Sequence, residues 1–307
     1  FALINFDEAS IYSIHGFCQR VLNTFPIETQ ALFQQQIIPN EKEIQQQVIR
    51  DYWRKNVISN KAERVRWILD QWKEPDDLLN DIQPLMEFES LVHKTQEKIS
   101  GRLKATGIED RWSELVIQWG IYKSQIYSLL LESMGLNRNK IRKASAALLL
   151  DSLEEYFTQE TPYHLVDKWD LITTTKLNEC KNGKDDTGID LEFFIFAEVF
   201  REKHDEWIRW QKKSILIDSA KFVYETVQQK KIQSQHISFN DLIKKLSSEL
   251  AGNPELGKAI KAQYPLAMVD EFQDTDFRQY LIFKSLYQHP DDAGTLILIG
   301  DPKQAIY

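Results

Sequence analysis

The stretch Leu266-Ala267-Met268-Val269-Asp270-Glu271-Phe272-Gln273-Asp274-Thr275 decides how the rest of the chain is read. Four apolar residues in a polar chain predict a short buried strand. The strand delivers two adjacent carboxylates, Asp270 and Glu271, at its end. That layout suits a divalent cation held beside a phosphate chain and a water oriented for attack. A second apolar run, Leu296-Ile297-Leu298-Ile299, ends in Gly300-Asp301-Pro302-Lys303-Gln304. Two strands ending in polar clusters predict neighbours in one sheet, with a site at their C-terminal edge.

The flanks extend this α/β texture. Phe239, Leu242, Ile243, Leu246 and Leu250 fall at helical spacing, and Ser238 with Asp241 forms a capping-box pattern in which Asp replaces the usual Glu. Gly252-Asn253-Pro254 ends that helix, and a short helix leads into the Leu266 strand. Asp276 is the expected N-cap of a helix carrying Phe277, Tyr280, Leu281 and Leu286. At the other end, Ile11, Ile14, Phe17, Cys18, Val21, Leu22 and Phe25 predict an amphipathic helix, with Ser10 as its cap and Pro26 as its stop.

Between these ends lies a long helical region rich in Gln, Glu, Lys and Leu. It holds Trp53, Trp67, Trp72, Trp112, Trp119, Trp169, Trp207 and Trp210, read as core anchors between helices. Breaks are expected at Glu74-Pro75, Ser100-Gly101, Gly135, Thr161-Pro162 and Asn182-Gly183, and a loop at Lys181–Gly188. The organisation expected is therefore an α/β layer built from residues 1–26 and 236–307, interrupted by an all-helical insertion over 27–235.

Bulk properties narrow the function class. A length of 307 residues fits one or two domains, and a hydrophobic fraction of 42% supports a real core. There is no apolar run of about 18 residues, so no membrane span is expected. The opening residues lack the basic and apolar regions of a signal peptide. Two cysteines far apart, Cys18 and Cys180, make no disulfide framework, which points to a reducing cytoplasm. Neither they nor the six histidines show the spacing of a zinc site. A net charge of −8 argues against a general nucleic-acid coat but leaves room for a local DNA groove. A chain that starts at Phe1 without Met and stops at Tyr307 reads as a piece of a longer protein.

Several motifs then converge. Val269-Asp270-Glu271-Phe272-Gln273-Asp274-Thr275 resembles motif II, the Walker B element, of UvrD-type superfamily 1 helicases. Gly300-Asp301-Pro302-Lys303-Gln304-Ala305-Ile306-Tyr307 resembles motif III of that family, at the expected distance of one helix and one strand. Tyr12-Ser13-Ile14-His15-Gly16-Phe17-Cys18 looks like its Thr-x-His-x-Phe segment, with Ser13 in place of Thr. Ser238-Phe239-Asn240-Asp241-Leu242 is similar to its aromatic-acidic-acidic-Leu element, with Asn240 in place of Asp. Within the family, His15–Arg20 and Asp301–Tyr307 look nearest to the beta-subunit (RecB-type) branch of exodeoxyribonuclease V, with AddA-type helicase-nucleases as the competing branch.

The resemblance implies a partial RecA-like parallel sheet, ATP and Mg²⁺ as cofactors, and roles for named residues. Asp270 would bind Mg²⁺, directly or through water, with Glu271 beside it. Glu271 would also orient and deprotonate the attacking water, and Gln304 would sense the γ-phosphate. Gln273 and Asp274 would link the nucleotide side to the DNA side, or else serve as a hydrogen-bonded turn and a helix cap. His15 and Ser13 would face single-stranded DNA, although a histidine on an apolar helix is equally a structural residue. Tyr307 would lie near the DNA path, or in the core. The clusters Arg138, Lys140, Arg142, Lys143 and Arg209, Lys212, Lys213 would meet duplex DNA phosphates or form solvated helix faces. RecC- and RecD-like subunits are the implied partners, in a cytoplasmic, nucleoid-associated enzyme of double-strand break repair.

No Gly-x-x-x-x-Gly-Lys-[Ser/Thr] occurs in the chain. The sheet is therefore expected to lack its P-loop strand and to leave an edge exposed. This chain alone is expected to be inactive. Two other classes stay open at this point: a non-catalytic DNA-binding or scaffold protein with a degenerate motor half, and a metal-dependent nuclease using Asp270, Glu271 and Asp274.

Overall fold

The computed structural model describes residues 10–27, 29, 36–87, 89–182, 191–288 and 294–304; side chains are described throughout these except at 87 and 89–93. The chain divides into two compact units. One comprises Phe1–Ile44 and Val227–Tyr307, the other Gln45–Thr226. The whole is mostly helical, with two small parallel sheets among the described residues.

The first unit holds both sheets. Helix α1 (Ile14–Thr24) begins at Ser13, whose Oγ accepts from the Gly16 amide at 3.1 Å. The cap is thus Ser13 rather than Ser10. Ser13 sits in extended backbone three residues before Gly16, which is the geometry a capping hydroxyl needs. Strand β1 (Gln36–Ile38) leads into α2 (Lys42–Tyr52). It pairs in parallel with β2 (His236–Ser238), Ile37 opposite Ile237. This pairing escapes sequence reading because three residues of mixed polarity carry no period.

From β2 the chain enters α10 (Phe239–Gly252). The intervening helices, α3 to α9 in chain order, belong wholly or mainly to the other unit. The predicted capping box forms in full: Ser238 Oγ accepts from the Asp241 amide, and the Asp241 carboxylate accepts from the Ser238 amide. The shorter Asp reaches because its carboxylate needs to span only one turn. Helix α11 (Pro254–Gln263) follows, with Asn253 as cap and Pro254 at its first position. Strand β3 (Leu266–Val269) comes next, then α12 (Phe277–Tyr287), capped by Asp276 as expected. Strand β4 (Thr295–Leu298) lies parallel to β3, with Val269 opposite Leu298.

The core of this unit is one cluster. Cys18, Val21 and Leu22 of α1 meet Leu242, Leu246 and Leu250 of α10 and Ile282, Phe283 and Leu286 of α12, with Val269 of β3 beneath. Burial pushes the Cys18 thiol up to about 12, so it behaves as a core apolar group. The opposite face of β3–β4, carrying Leu266, Met268, Ile297 and Ile299, is exposed. Parallel strands are ordinarily covered on both faces.

A buried ion cluster closes the same unit. Lys231 Nζ sits 2.5 Å from Glu41 and 2.6 Å from Asp241, with only 3% of its side chain exposed. Burial works to raise the Asp241 carboxyl, but hydrogen bonds from Lys231 and Ser238 outweigh it and hold the group below its ordinary value.

The second unit is helical: α3 (Ala62–Gln71), α4 (Pro75–Ile82), α5 (Glu89–Ala105), α6 (Ile108–Leu131), α7 (Lys143–Tyr156), α8 (Thr174–Glu179) and most of α9 (Glu192–Gln233). The break expected at Ser100-Gly101 is absent. Gly101 is exposed in α5, where a glycine weakens a helix without ending it. Seven of the eight tryptophans are buried; Trp210 is the partly exposed one. Trp112 packs on Tyr156, Phe157 and Phe200 at 5.1–5.5 Å, and Trp119 on Phe157 at 5.0 Å. Their indole N–H groups find partners: Trp72 on Asp81, Trp112 on the Gln159 carbonyl and Trp169 on the Ala197 carbonyl.

Candidate active site

The site forms where β3 and β4 end. Past Val269 the ladder continues for one more bond, Ile299 N–H to the Val269 carbonyl at 2.9 Å. Phe272 N–H then donates to the Ile299 carbonyl at 2.8 Å, tying the two post-strand turns together. Two parallel strands released at the same level place their polar tails side by side.

Within the first turn, Glu271 has φ +49° and ψ +42°, the left-handed region that a non-glycine residue adopts at a cost of about 1–2 kcal/mol. Such strain persists where surrounding bonds hold it. The holders here are local. Asp270 Oδ1 accepts from the Glu271 amide at 2.9 Å, the Glu271 carbonyl accepts from Asp274 N–H, and the Phe272 carbonyl accepts from Thr275 Oγ1 at 2.7 Å. The result is a one-turn 3₁₀ helix over Phe272–Asp274, which lifts the Glu271 carboxylate into solvent.

The second turn approaches closely because residue 300 is glycine. A Cβ there would lie 2.5 Å from Gln273 Oε1 and 3.1 Å from its backbone nitrogen. Through that gap Gln273 Oε1 accepts from the Asp301 amide at 3.0 Å, while Gln273 Nε2 donates to Glu271 Oε2 at 2.6 Å. Asp301 in turn accepts from Lys303 N–H at 2.9 Å and from Gln304 Nε2 at 3.1 Å.

Asp270, Glu271, Gln273 and Gln304 therefore come together in one hydrogen-bonded array with Asp301. Asp274 is exposed beside them, its amide serving the turn. Asp301 and Gly300 are the members that sequence reading left without a role. The signal for them was the Gly-Asp pair directly after an apolar strand.

Asp270 and Glu271 are the carboxylates available to a divalent cation. Among the described residues no three His, Cys, Asp or Glu side chains converge on a metal position. The donor set fits Mg²⁺, which takes one or two carboxylates and completes its shell with water and phosphate oxygens.

The remaining candidates lie elsewhere in the first unit or outside the description. Ser13 caps α1. The His15 ring meets the Phe239 ring edge-on at 5.2 Å, and Phe239 is 39% exposed. The Arg20 guanidinium lies 5.4 Å from the centre of the exposed Tyr12 ring. Tyr307 falls outside the described residues.

In the second unit, much of the basic clusters is spoken for. Arg138 donates to the Leu130 carbonyl at 2.6 Å and to the Ser133 carbonyl, closing the end of α6. Lys140 donates to the Glu179 carbonyl at 2.7 Å. Lys212 and Lys213 lie over the rings of Trp72 and Trp210.

Comparison with known proteins adds an independent line. Residues 2–307 match the UvrD/REP helicase N-terminal domain family. The chain is 30% identical over 306 residues to the RecBCD enzyme subunit RecB of Escherichia coli K12, covering 98% of this chain and 25% of the relative. It is 30% identical to the same subunit of Buchnera aphidicola from Acyrthosiphon pisum, again over 98% of this chain and 25% of the relative. It is 28% identical to that of Chlamydia trachomatis serovar D, over 100% and 29%. The chain spans about a quarter of the length of the relatives it matches.

Proposed function

Since the chain belongs to the UvrD/REP helicase N-terminal domain family and is a RecB-related region of it, we propose that it supplies half of the ATP site of a DNA helicase-nuclease subunit that processes double-strand breaks. The observation that carries this is the array at the ends of β3 and β4. It presents an acid pair and an amide at the C-terminal edge of parallel strands, where phosphate-handling α/β proteins place their chemistry.

In this reading bound Mg²⁺·ATP supplies the labile phosphoanhydride and neutralises its charge. Asp270 is the residue that would hold the cation. Glu271, fixed outward by its left-handed backbone, orients water and accepts its proton. The Gln304 carboxamide, able both to donate and to accept, would leave Asp301 for the γ-phosphate. His15, Ser13, Asp274 and Tyr307 belong to the DNA-facing side. The exposed Phe239 beside His15 offers a face on which a base of single-stranded DNA stacks.

Two finer proposals follow. The missing P-loop strand would be supplied by sequence outside these residues, so the chain alone turns over no ATP. RecC- and RecD-like subunits would be partners of the whole protein, as the name of its relatives' enzyme suggests. The test is strand separation of a duplex by the full-length protein with and without ATP. ATP-dependent separation that Glu271→Gln abolishes supports the reading; separation independent of ATP contradicts it.

A further inference from the structure

The first unit contains a relay that the proposed roles leave unused, and it runs through Gln273. Its side chain bonds a group in each of the two post-strand turns. The Nε2 hydrogen points at Glu271 Oε2 at 2.6 Å, and the Oε1 lone pair receives the Asp301 amide at 3.0 Å. Asp301 in turn accepts from Gln304 Nε2 at 3.1 Å. Glu271 and Gln304, which come from different turns, are thus linked through a single carboxamide and a single residue.

Each feature of this link has a chemical requirement. A carboxamide donates to a carboxylate and accepts from a backbone N–H with the same planar group. The approach requires residue 300 to lack a Cβ, since one placed there would stand 2.5 Å from Gln273 Oε1. Glu271 itself rests in a left-handed backbone conformation, so the bond from Gln273, which is itself held by the Asp301 amide of the other turn, adds to what fixes its carboxylate.

We infer that Gln273 is a positioning residue that couples Glu271 to the turn 300–304, with Gly300 as the gap through which the coupling passes. The inference rests on the reading of Glu271 as the group that orients water. When Gln304 leaves Asp301, the turn it anchors relaxes. The Asp301 amide then carries the Gln273 carboxamide with it, and the Glu271 carboxylate is re-aimed. Hydrolysis is thereby tied to the state of the turn rather than to Glu271 alone.

The test uses the full-length protein with Gln273→Ala, Gln273→Glu and Gly300→Ala. Three readouts are taken: steady-state ATP hydrolysis, thermal midpoint, and hydrogen exchange of the Asp301 amide without nucleotide. Gln273→Glu keeps an acceptor for Asp301 but loses the donor to Glu271. Gln273→Ala loses both. We expect kcat to fall about 10–100-fold in all three variants, the size of loss seen when a supporting residue is removed. KM for ATP should stay within about threefold, because the bond acts after binding. Asp301 exchange should quicken about tenfold in Gln273→Ala and Gly300→Ala and stay unchanged in Gln273→Glu.

A wild-type kcat in Gln273→Glu with a loss in Gln273→Ala would overturn the coupling and leave a merely structural side chain. Wild-type kcat in both would overturn it as well. Should Gly300→Ala fail to fold, the Gln273 pair decides the matter, since Gln273→Glu is isosteric. If the wild type hydrolyses ATP and Glu271→Gln does not, a normal Gln273→Glu sinks only this inference. If the wild type hydrolyses none, the reading of the site falls and the inference falls with it.

Discussion

Residues 45–226 and residues 266–304 treat their polar atoms in opposite ways. In the helical unit, indole and guanidinium hydrogens end on backbone carbonyls or a neighbouring carboxylate: Trp169 on Ala197, Trp72 on Asp81, Arg138 on Leu130. Along the second segment the polar side chains are largely exposed and bond chiefly to one another, Gln273 to Glu271 and Gln304 to Asp301. The first arrangement stabilises packing, because an unpaired buried polar group costs about 1–3 kcal/mol. The second adds little to stability. It sets the direction of groups that a ligand can later claim. The comparison teaches where substitutions should move stability and where they should move chemistry.

The largest effect on stability is expected in the aromatic core. Trp112→Ala should lower the unfolding free energy by about 3–5 kcal/mol in denaturant titration, since it opens a cavity among Tyr156, Phe157 and Phe200. A loss under 1 kcal/mol would break the comparison from the structural side. Next comes Lys231, which belongs to the first unit yet is buried like a core residue. Lys231→Ala removes the buried cation between Glu41 and Asp241 and should cost about 3 kcal/mol, at the low end for a buried pair because both carboxylates keep some exposure and Asp241 keeps its bonds from Ser238.

The same cluster gives a pH signature. The Asp241 carboxyl is held below its ordinary value, so its contribution is present above about pH 4 and disappears as pH falls through the folded value. Lys231→Ala should move that acid loss to higher pH. His204 shows the converse sign. Its ring is buried, with Nε2 donating to the Pro162 carbonyl at 2.7 Å, and burial pushes its pKa down. The fold refuses a proton that the unfolded chain accepts near pH 6.5. Stability should therefore be complete above that pH and decline below it, and His204→Gln should flatten the decline in thermal scans from pH 7 to 5. The smallest effect on stability is expected at the site. Gln273→Ala should change the unfolding free energy by less than about 0.5 kcal/mol, since this half-buried side chain bonds to exposed partners, Glu271 and Asp301.

Strands and helix caps were legible where a period or a punctuating residue marks them. The Ser238–Asp241 box and the Asp276 cap form as their spacing predicts, and Leu266–Val269 forms its strand, though with Leu266 and Met268 exposed rather than buried because no element among the described residues covers that face. The pairing of Gln36–Ile38 with His236–Ser238 was not, since residues 200 apart in the chain share no local signal. Ser13, not Ser10, caps α1 because the helix starts only where the chain meets its core. At the site, the acid pair and Gln304 could be named from sequence. The left-handed Glu271 and the Gln273 bridge could not. A backbone angle and the direction of an amide depend on what approaches from the second strand. Around Arg138 the charge is visible in a sequence, while the carbonyls that Arg138 and Lys140 bond are not.

The central claim is that Glu271 orients the attacking water of a nucleotide bound at the ends of β3 and β4. The most direct measurement is single-turnover hydrolysis of bound ATP by the full-length protein, wild type against Glu271→Gln, with nucleotide affinity taken on the same samples. The account predicts a fall of about 10²–10⁴-fold in the hydrolysis rate, the usual contribution of a positioned base, with affinity held within about threefold. Equal hydrolysis rates in the two proteins would contradict it.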